Sequence, residues 1–259
     1  MKAVLLLSLL TCCGYFDTVK PVTKAQQDEA MRQAYEDRLG TAQGYSDGWP
    51  SKTDCDGLVW ASEASMGGVY VDLSLANENG RFYRRPSKDC YQTGDSRSSI
   101  SNDGMVMVMV ALFMKDDQKS LKQMISYGEQ HGWVYGSELE SYLKPWWRKL
   151  LYTLAGEESK IPFILTYSKE DYVAHIQSVG MWAYTQATGG LSSNNVDLLA
   201  RYHKRDPGDY LIRSIYGLFN PDINSPFTEI EPPSYVRGSA ARRFALVHWL
   251  LAAKIYLDL

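Results

Sequence analysis

Gly94–Lys115 reads GDSRSSISNDGMVMVMVALFMK. A polar loop of serines, two aspartates and an arginine runs straight into ten apolar residues, Met105 to Met114. Ser101 is placed to cap a helix, and Asp103 falls in its first turn, where a negative charge meets exposed amide N–H groups. The apolar run has no polar face, so this helix is expected to be buried on all sides. It is the inner member of a pair. After Lys115-Asp116-Asp117, residues 117 to 130 carry Leu121, Met124, Ile125 and Gly128 at the i, i+3, i+4, i+7 spacing of a one-sided helix. A fully apolar helix, a tight turn and an amphipathic helix predict an αα-hairpin with one buried and one outer arm.

The same alternation extends outward. Residues 24 to 39 predict a surface helix anchored by Ala30, Met31, Ala34 and Leu39, and Asp56 opens a helix that ends near Gly67-Gly68. Val69 to Leu75 fits a short strand or a second helix, and Asn77 to Pro86 is a turn followed by aromatic and basic residues. Ser137 and Glu140 fit a capping box before a stripe of Leu139, Tyr142, Leu143, Trp146, Trp147, Leu150, Leu151 and Leu154, which Pro145 must kink or divide. Trp146 and Trp147 read as core rather than as a platform for sugar. Further helices are expected from Ser168 to Gly189-Gly190, from Asn195 to Lys204, from an Asp209 cap to Phe219, and from a Ser239 cap through AARRFALVHWLLAAKIYL. In Phe244 to Ala253 only His248 is polar, so it is expected to be a hydrogen-bonded core histidine and not a ligand. Asn220 to Pro233 is a long connection for a compact domain.

The first residues carry a different message. Met1-Lys2 precedes AVLLLSLL, too short a run to span a membrane but of signal-peptide length. Leu9-Leu10-Thr11-Cys12 resembles a bacterial lipobox, with Thr11 a departure from the usual small residue. That resemblance implies a signal peptide over 1–11, lipidation of Cys12, a tether over 12–23 and one helical domain over 24–259. The protein is then held at the cell envelope, in the periplasm or at the outer membrane, or is secreted. In an oxidising compartment Cys55 and Cys90 are expected to pair, closing a loop whose chain-entropy value is roughly 4 kcal/mol. Two cysteines without a CxxC or a nearby histidine pair make a poor metal site, and no metal or cofactor is expected.

With 259 residues and a net charge of −3, the chain has ample material for a core and no basic surplus for nucleic acid. Its 18 tyrosines and 7 tryptophans have apolar faces and polar tips suited to sugar rings, or to a tyrosine-rich helical core. No dinucleotide fingerprint, P-loop, G-x-S-x-G or H-E-x-x-H occurs. The expected fold is all-α.

The hairpin Ser101 to Gln130, the apolar last helix and the aromatic content together resemble the six-hairpin glycosidase-like superfamily over residues 55 to 257. This implies an incomplete α/α toroid of helical hairpins; an irregular helical bundle is the alternative. It also implies a carbohydrate-active enzyme, a glycoside hydrolase or polysaccharide lyase, acting on a glycan that can be acidic. A non-catalytic envelope lipoprotein binding a glycan or protein partner is the other reading. Hydrolysis needs two carboxylates about 5 to 10 Å apart. Asp56 and Asp103 form the candidate pair, with Asp95 as substitute. Arg84 and Arg85 can hold an acidic sugar bidentately, unless they belong to a solvated loop. Tyr83 and Trp133 are candidate substrate contacts. A lyase would draw its base from His131, His175, His203 or Tyr135.

Overall fold

The computed structural model describes residues 23–43, 57–88, 100–136, 141–223, 227 and 241–258. Among these the protein is all-α, with one β-hairpin of two-residue strands. The α-helices are α1 (Lys24–Gln43), α2 (Gly57–Met66), α3 (Asn102–Met114), α4 (Gln118–Gln130), α5 (Pro145–Leu154), α6 (Asp171–Thr188), α7 (Ser193–Arg205), α8 (Tyr210–Gly217) and α9 (Ala241–Leu257). Cys12, Cys55, Cys90, Asp56, Asp95, Ser137, Glu140 and Ser239 lie outside the described residues. No helix among the described residues is long and apolar enough to cross a membrane.

The centre is built from the two most apolar helices. α2 packs between α3 and α9; α9 is flanked in turn by α1 and α8, and α3 by α6. In α3 every residue from Gly104 to Leu112 is buried, as a helix with no polar face requires, while Phe113 and Met114 at its end are half-buried. Ser101 caps it, its hydroxyl accepting from the Gly104 N–H at a long 3.4 Å. Asp117 caps α4 at 3.0 Å from the Ser120 N–H, and α4 buries Leu121, Met124, Ile125 and Gly128 against the inner arm. The predicted hairpin is present with the predicted inside and outside.

α1 does lie on the surface, but its anchors differ from the expected set. Met31, Tyr35 and Ala42 are buried, Ala30 is exposed, and Ala34 and Leu39 are only partly covered. Tyr35 outcompetes the smaller residues because its ring fills space against the core while its hydroxyl donates to the Gly67 carbonyl at 3.1 Å. The Tyr256 hydroxyl donates to Asp28 at 2.7 Å and ties α9 to the same helix.

Pro145 divides the stretch that begins at Ser137. α5 starts only at Pro145, and Lys144 before it is extended at ψ 150°. Proline suits the first helical position, where no donor is needed, and its ring pushes the preceding residue out of the helical region. Trp147 is buried and Trp146 half-buried, both against the core. α6 opens at Asp171 with Glu170 as its cap residue, three positions after Ser168, and closes on Gly189 in the left-handed conformation.

Residues 69–76 form neither a strand nor a full helix but a path with a 3-10 turn at Leu73–Ala76, capped by Asp72. It leads into β1 (Asn77–Glu78) and β2 (Arg81–Phe82), which pair antiparallel around Asn79-Gly80, both at positive φ. That is the signature of a type I′ hairpin. Gly80 has φ +93°, and a Cβ there would sit 2.1 Å from the Gln123 carbonyl oxygen of α4. Gly80→Ala therefore combines backbone strain with a clash against backbone that cannot rotate away. We expect a loss of about 3 kcal/mol in urea unfolding. A loss under about 1 kcal/mol would mean that the hairpin slides off α4 at little cost.

Candidate functional site

Two polar regions stand out against this core. The first is the start of α3. Lys115, just past the end of α3, donates through Nζ to the Val71 carbonyl, just past the end of α2. Since α2 and α3 are packed side by side with their C-terminal ends together, they run in the same direction. Their N-terminal ends, at Gly57 and at Asn102-Asp103, therefore lie at one end of the molecule. Arg84 joins them there, its carbonyl accepting from the Leu58 N–H at 2.7 Å. Asp103 is half-buried in the first turn of α3. The Asn102 side-chain carbonyl accepts from the Lys144 N–H at 3.4 Å.

The Arg84-Arg85 stretch is not a solvated loop. Phe82 and Tyr83 are buried, Arg84 is 4% exposed and Arg85 half-buried, because the β-hairpin folds this segment onto α2 and α4. A guanidinium at that depth is held in place by its surroundings. Tyr83 is committed as well: its hydroxyl donates to Glu78 at 2.7 Å, and Arg81 and Lys88 sit over its ring. Trp133, at φ +66°, packs on Tyr152 and carries the Arg148 guanidinium at 5.0 Å. Both aromatics thus brace the protein's own cations. Of the proposed carboxylates, Asp103 is the one inside the described residues.

The candidate bases separate clearly. Tyr135 is fully buried, its hydroxyl donating to the Met124 carbonyl at 2.6 Å, and burial pushes its pKa far up, which removes it as a base. His131 is exposed and stacked on Tyr127. His203 is half-buried, and burial with the nearby Arg213 charge pushes its pKa down.

His175 belongs to the second region, which lies at the junction of four helices. Glu63 of α2, His175 of α6 and His248 of α9 meet there, and Asp209, the cap residue of α8, closes one side. Glu63 is fully buried; His175 and His248 are 2% and 1% exposed. Glu63 Oε1 is 3.0 Å from His248 Nδ1 and 3.6 Å from His175 Nε2. His248 Nε2 faces Asp209 Oδ1 at 3.6 Å. The two imidazoles stack with centroids 4.9 Å apart. Asp209 is fixed because its Oδ1 also accepts from the Ile212 N–H at 2.9 Å.

The electrostatics follow from these distances. Burial pushes His248 down, but hydrogen bonds and charges from Asp209 and Glu63 outweigh it and hold the imidazole up to about 10. Burial pushes His175 down, Glu63 opposes this, and the neighbouring His248 adds to it. Burial raises Asp209, and its interactions with His248 more than reverse that, leaving it below the usual carboxylate range. In this arrangement the His248 ring lies between Glu63 and Asp209, with the His175 ring stacked on it.

His248 is the buried, hydrogen-bonded histidine that the apolar last helix predicts. Glu63 is a residue that sequence reasoning missed. Its signal was present: it is the one charged residue in GLVWASEASM, as His248 is the one polar residue in its own apolar run. A lone ionisable group on each of two buried helices requires a partner, and each is the other's.

No family model matches the chain, and comparison with curated proteins and with solved structures finds no match.

Proposed function

We propose that the protein is an exported carbohydrate-active enzyme, a glycoside hydrolase or polysaccharide lyase, working at the shared N-terminal end of α2 and α3. The observation that carries this reading is the parallel course of those helices. With that course, Asp103 and the first turn of α2 share one end of the core, and the Arg84 backbone is bonded to Leu58 there. Two helix N-termini there favour anionic groups, and fixed guanidinium groups favour a glycan bearing carboxylates. Asp103 acts with Asp56 or Asp95 as the acid–base pair, half-buried Arg85 holds the acidic sugar, and buried Arg84 adds positive charge beneath it. Tyr83 and Trp133 stiffen the walls of the site. The helical hairpins form an incomplete α/α toroid around it. Residues 1–11 direct export, lipidated Cys12 tethers the protein to the envelope, and Cys55 pairs with Cys90.

The test is incubation of the mature protein with neutral and uronic-acid polysaccharides. New reducing ends indicate hydrolysis, and new unsaturated uronates indicate elimination. A panel left uncut by protein that is shown to be folded would sink the enzyme reading.

One observation favours a non-catalytic partner-binding lipoprotein instead. Tyr70 and Leu75, on the path between α2 and the β-hairpin, are 77% and 55% exposed, and apolar side chains this open suit a docking surface. Retention of polysaccharide or an envelope component without cleavage would select that reading.

A further inference from the structure

We propose that Glu63, His175 and His248 form a binding site for one divalent transition-metal ion, with zinc the best match, and that Asp209 orients His248 from behind. The inference stands apart from the glycan reading, since it concerns the buried junction of α2, α6, α8 and α9 and not the mouth of α3.

Ligand chemistry comes first. One carboxylate and two imidazoles are a donor set that zinc and its first-row neighbours accept, and hard ions such as magnesium or calcium do not prefer it. The geometry is of the right size. One ligand atom from each residue lies within 4.8 Å of the other two. A four-coordinate zinc with bonds of about 2.0 Å spaces its ligand atoms roughly 3.3 Å apart. The distances from Glu63 Oε1 to His248 Nδ1 and to His175 Nε2, 3.0 and 3.6 Å, bracket that value. The two rings, stacked at 27° to one another, would turn so that one nitrogen of each points at a common centre.

The second observation is an oxygen left over. Glu63 Oε2 is buried and has no hydrogen-bond partner among the described residues. A buried carboxylate oxygen without a donor costs free energy, and a cation bound between the carboxylate and the two rings removes that cost. The third observation lies behind the ligands. With His248 binding through Nδ1, its Nε2–H points to Asp209 Oδ1, 3.6 Å away. A carboxylate receiving the outer N–H of a metal-bound histidine is the usual support for such a ligand, because it fixes the tautomer and makes the ring a stronger base. Asp209 is itself anchored by its helix cap, so this support is rigid.

Imidazole and carboxylate bind metal in their deprotonated forms, so uptake weakens in acid. The three ligands come from helices far apart in sequence, so the ion would join α2, α6 and α9 and couple metal binding to folding. A set of three protein ligands also leaves a coordination position that Glu63 Oε2 or a water can fill.

The test uses the full mature chain, stripped with a chelator under mild denaturant and returned to buffer. Titration with Zn2+ should show one equivalent bound at micromolar affinity or tighter, with a rise in Tm. Co2+ should produce the visible absorption bands of a low-coordinate nitrogen–oxygen site. Glu63→Gln and His175→Gln should each weaken Zn2+ binding about 100-fold or more, and Asp209→Asn about 10- to 100-fold. His131→Ala, which alters the exposed histidine, should leave it unchanged. Circular dichroism checks that each variant folds, and if a ligand variant does not, the Co2+ spectrum of the unaltered protein decides. Absence of saturable Zn2+ uptake and of Co2+ bands overturns the proposal. So does binding that persists at full strength in folded Glu63→Gln and His175→Gln.

Discussion

His248→Ala should be the most damaging single substitution in the core, costing about 3 to 5 kcal/mol in urea unfolding of the metal-free protein. The residue is 1% exposed and sits between Glu63 and Asp209, at 3.0 and 3.6 Å from their oxygens. Its removal leaves two buried carboxylates facing a cavity, without the imidazolium that compensates them and with one hydrogen-bond donor gone. If uncompensated charge dominates, Glu63→Gln in the His248→Ala background should restore part of the loss, because the amide removes a charge and brings donors. The two changes are in contact and are expected to be non-additive. A loss under about 1 kcal/mol for His248→Ala, or strict additivity of the pair, would show that the cluster contributes packing alone.

Asp103→Asn should lower the proposed glycan-cleaving activity about a thousandfold or more while leaving the fold in place. Asp103 is in the first turn of α3, half-buried, at the end where α2 also begins. Its structural part is small: a carboxylate near a helix start contributes about 0.3 to 1 kcal/mol, and asparagine keeps the shape and an acceptor oxygen. The buried length of α3, Gly104 to Leu112, does not depend on it. Activity and stability are therefore expected to separate. An Asp103→Asn protein with full activity and a slightly lower Tm would reduce Asp103 to a helix-start residue and remove the acid–base pair. A large drop in Tm matching the loss of activity would mean that the effect runs through folding.

Most of the secondary structure was legible because it rests on local rules. The run Met105–Met114 has no polar face, and a helix made from it can only be internal, as Gly104–Leu112 are. Leu121, Met124, Ile125 and Gly128 share one side of α4 by spacing alone, and they are the side that is buried. Asp209 announces a helix start because its side chain satisfies an amide three residues on. The interruption of the stripe at Pro145 was legible too: α5 starts at the proline and Lys144 before it is extended, and only the two-residue bridge of Val134 with Tyr142 ahead of it escaped the helical period.

The sequence by itself determined an all-α protein with an inner α3 and outer α4, and it marked His248 as a buried polar residue in need of a partner. It could not determine which residue that partner is. Glu63 and His248 are 185 positions apart, and His175 and Asp209 come from two further helices. No spacing rule connects such residues, because their meeting depends on how α2, α6, α8 and α9 pack. The same holds for the mouth of α3: the polar residues of that loop are visible in the chain, but the direction of α2 beside it, and the burial of Arg84 against α2, are settled only by packing. Helix formation follows from neighbours three and four residues apart. The juxtaposition of one buried carboxylate, two imidazoles and a capping aspartate is decided by the tertiary fold, where distance along the chain no longer matters.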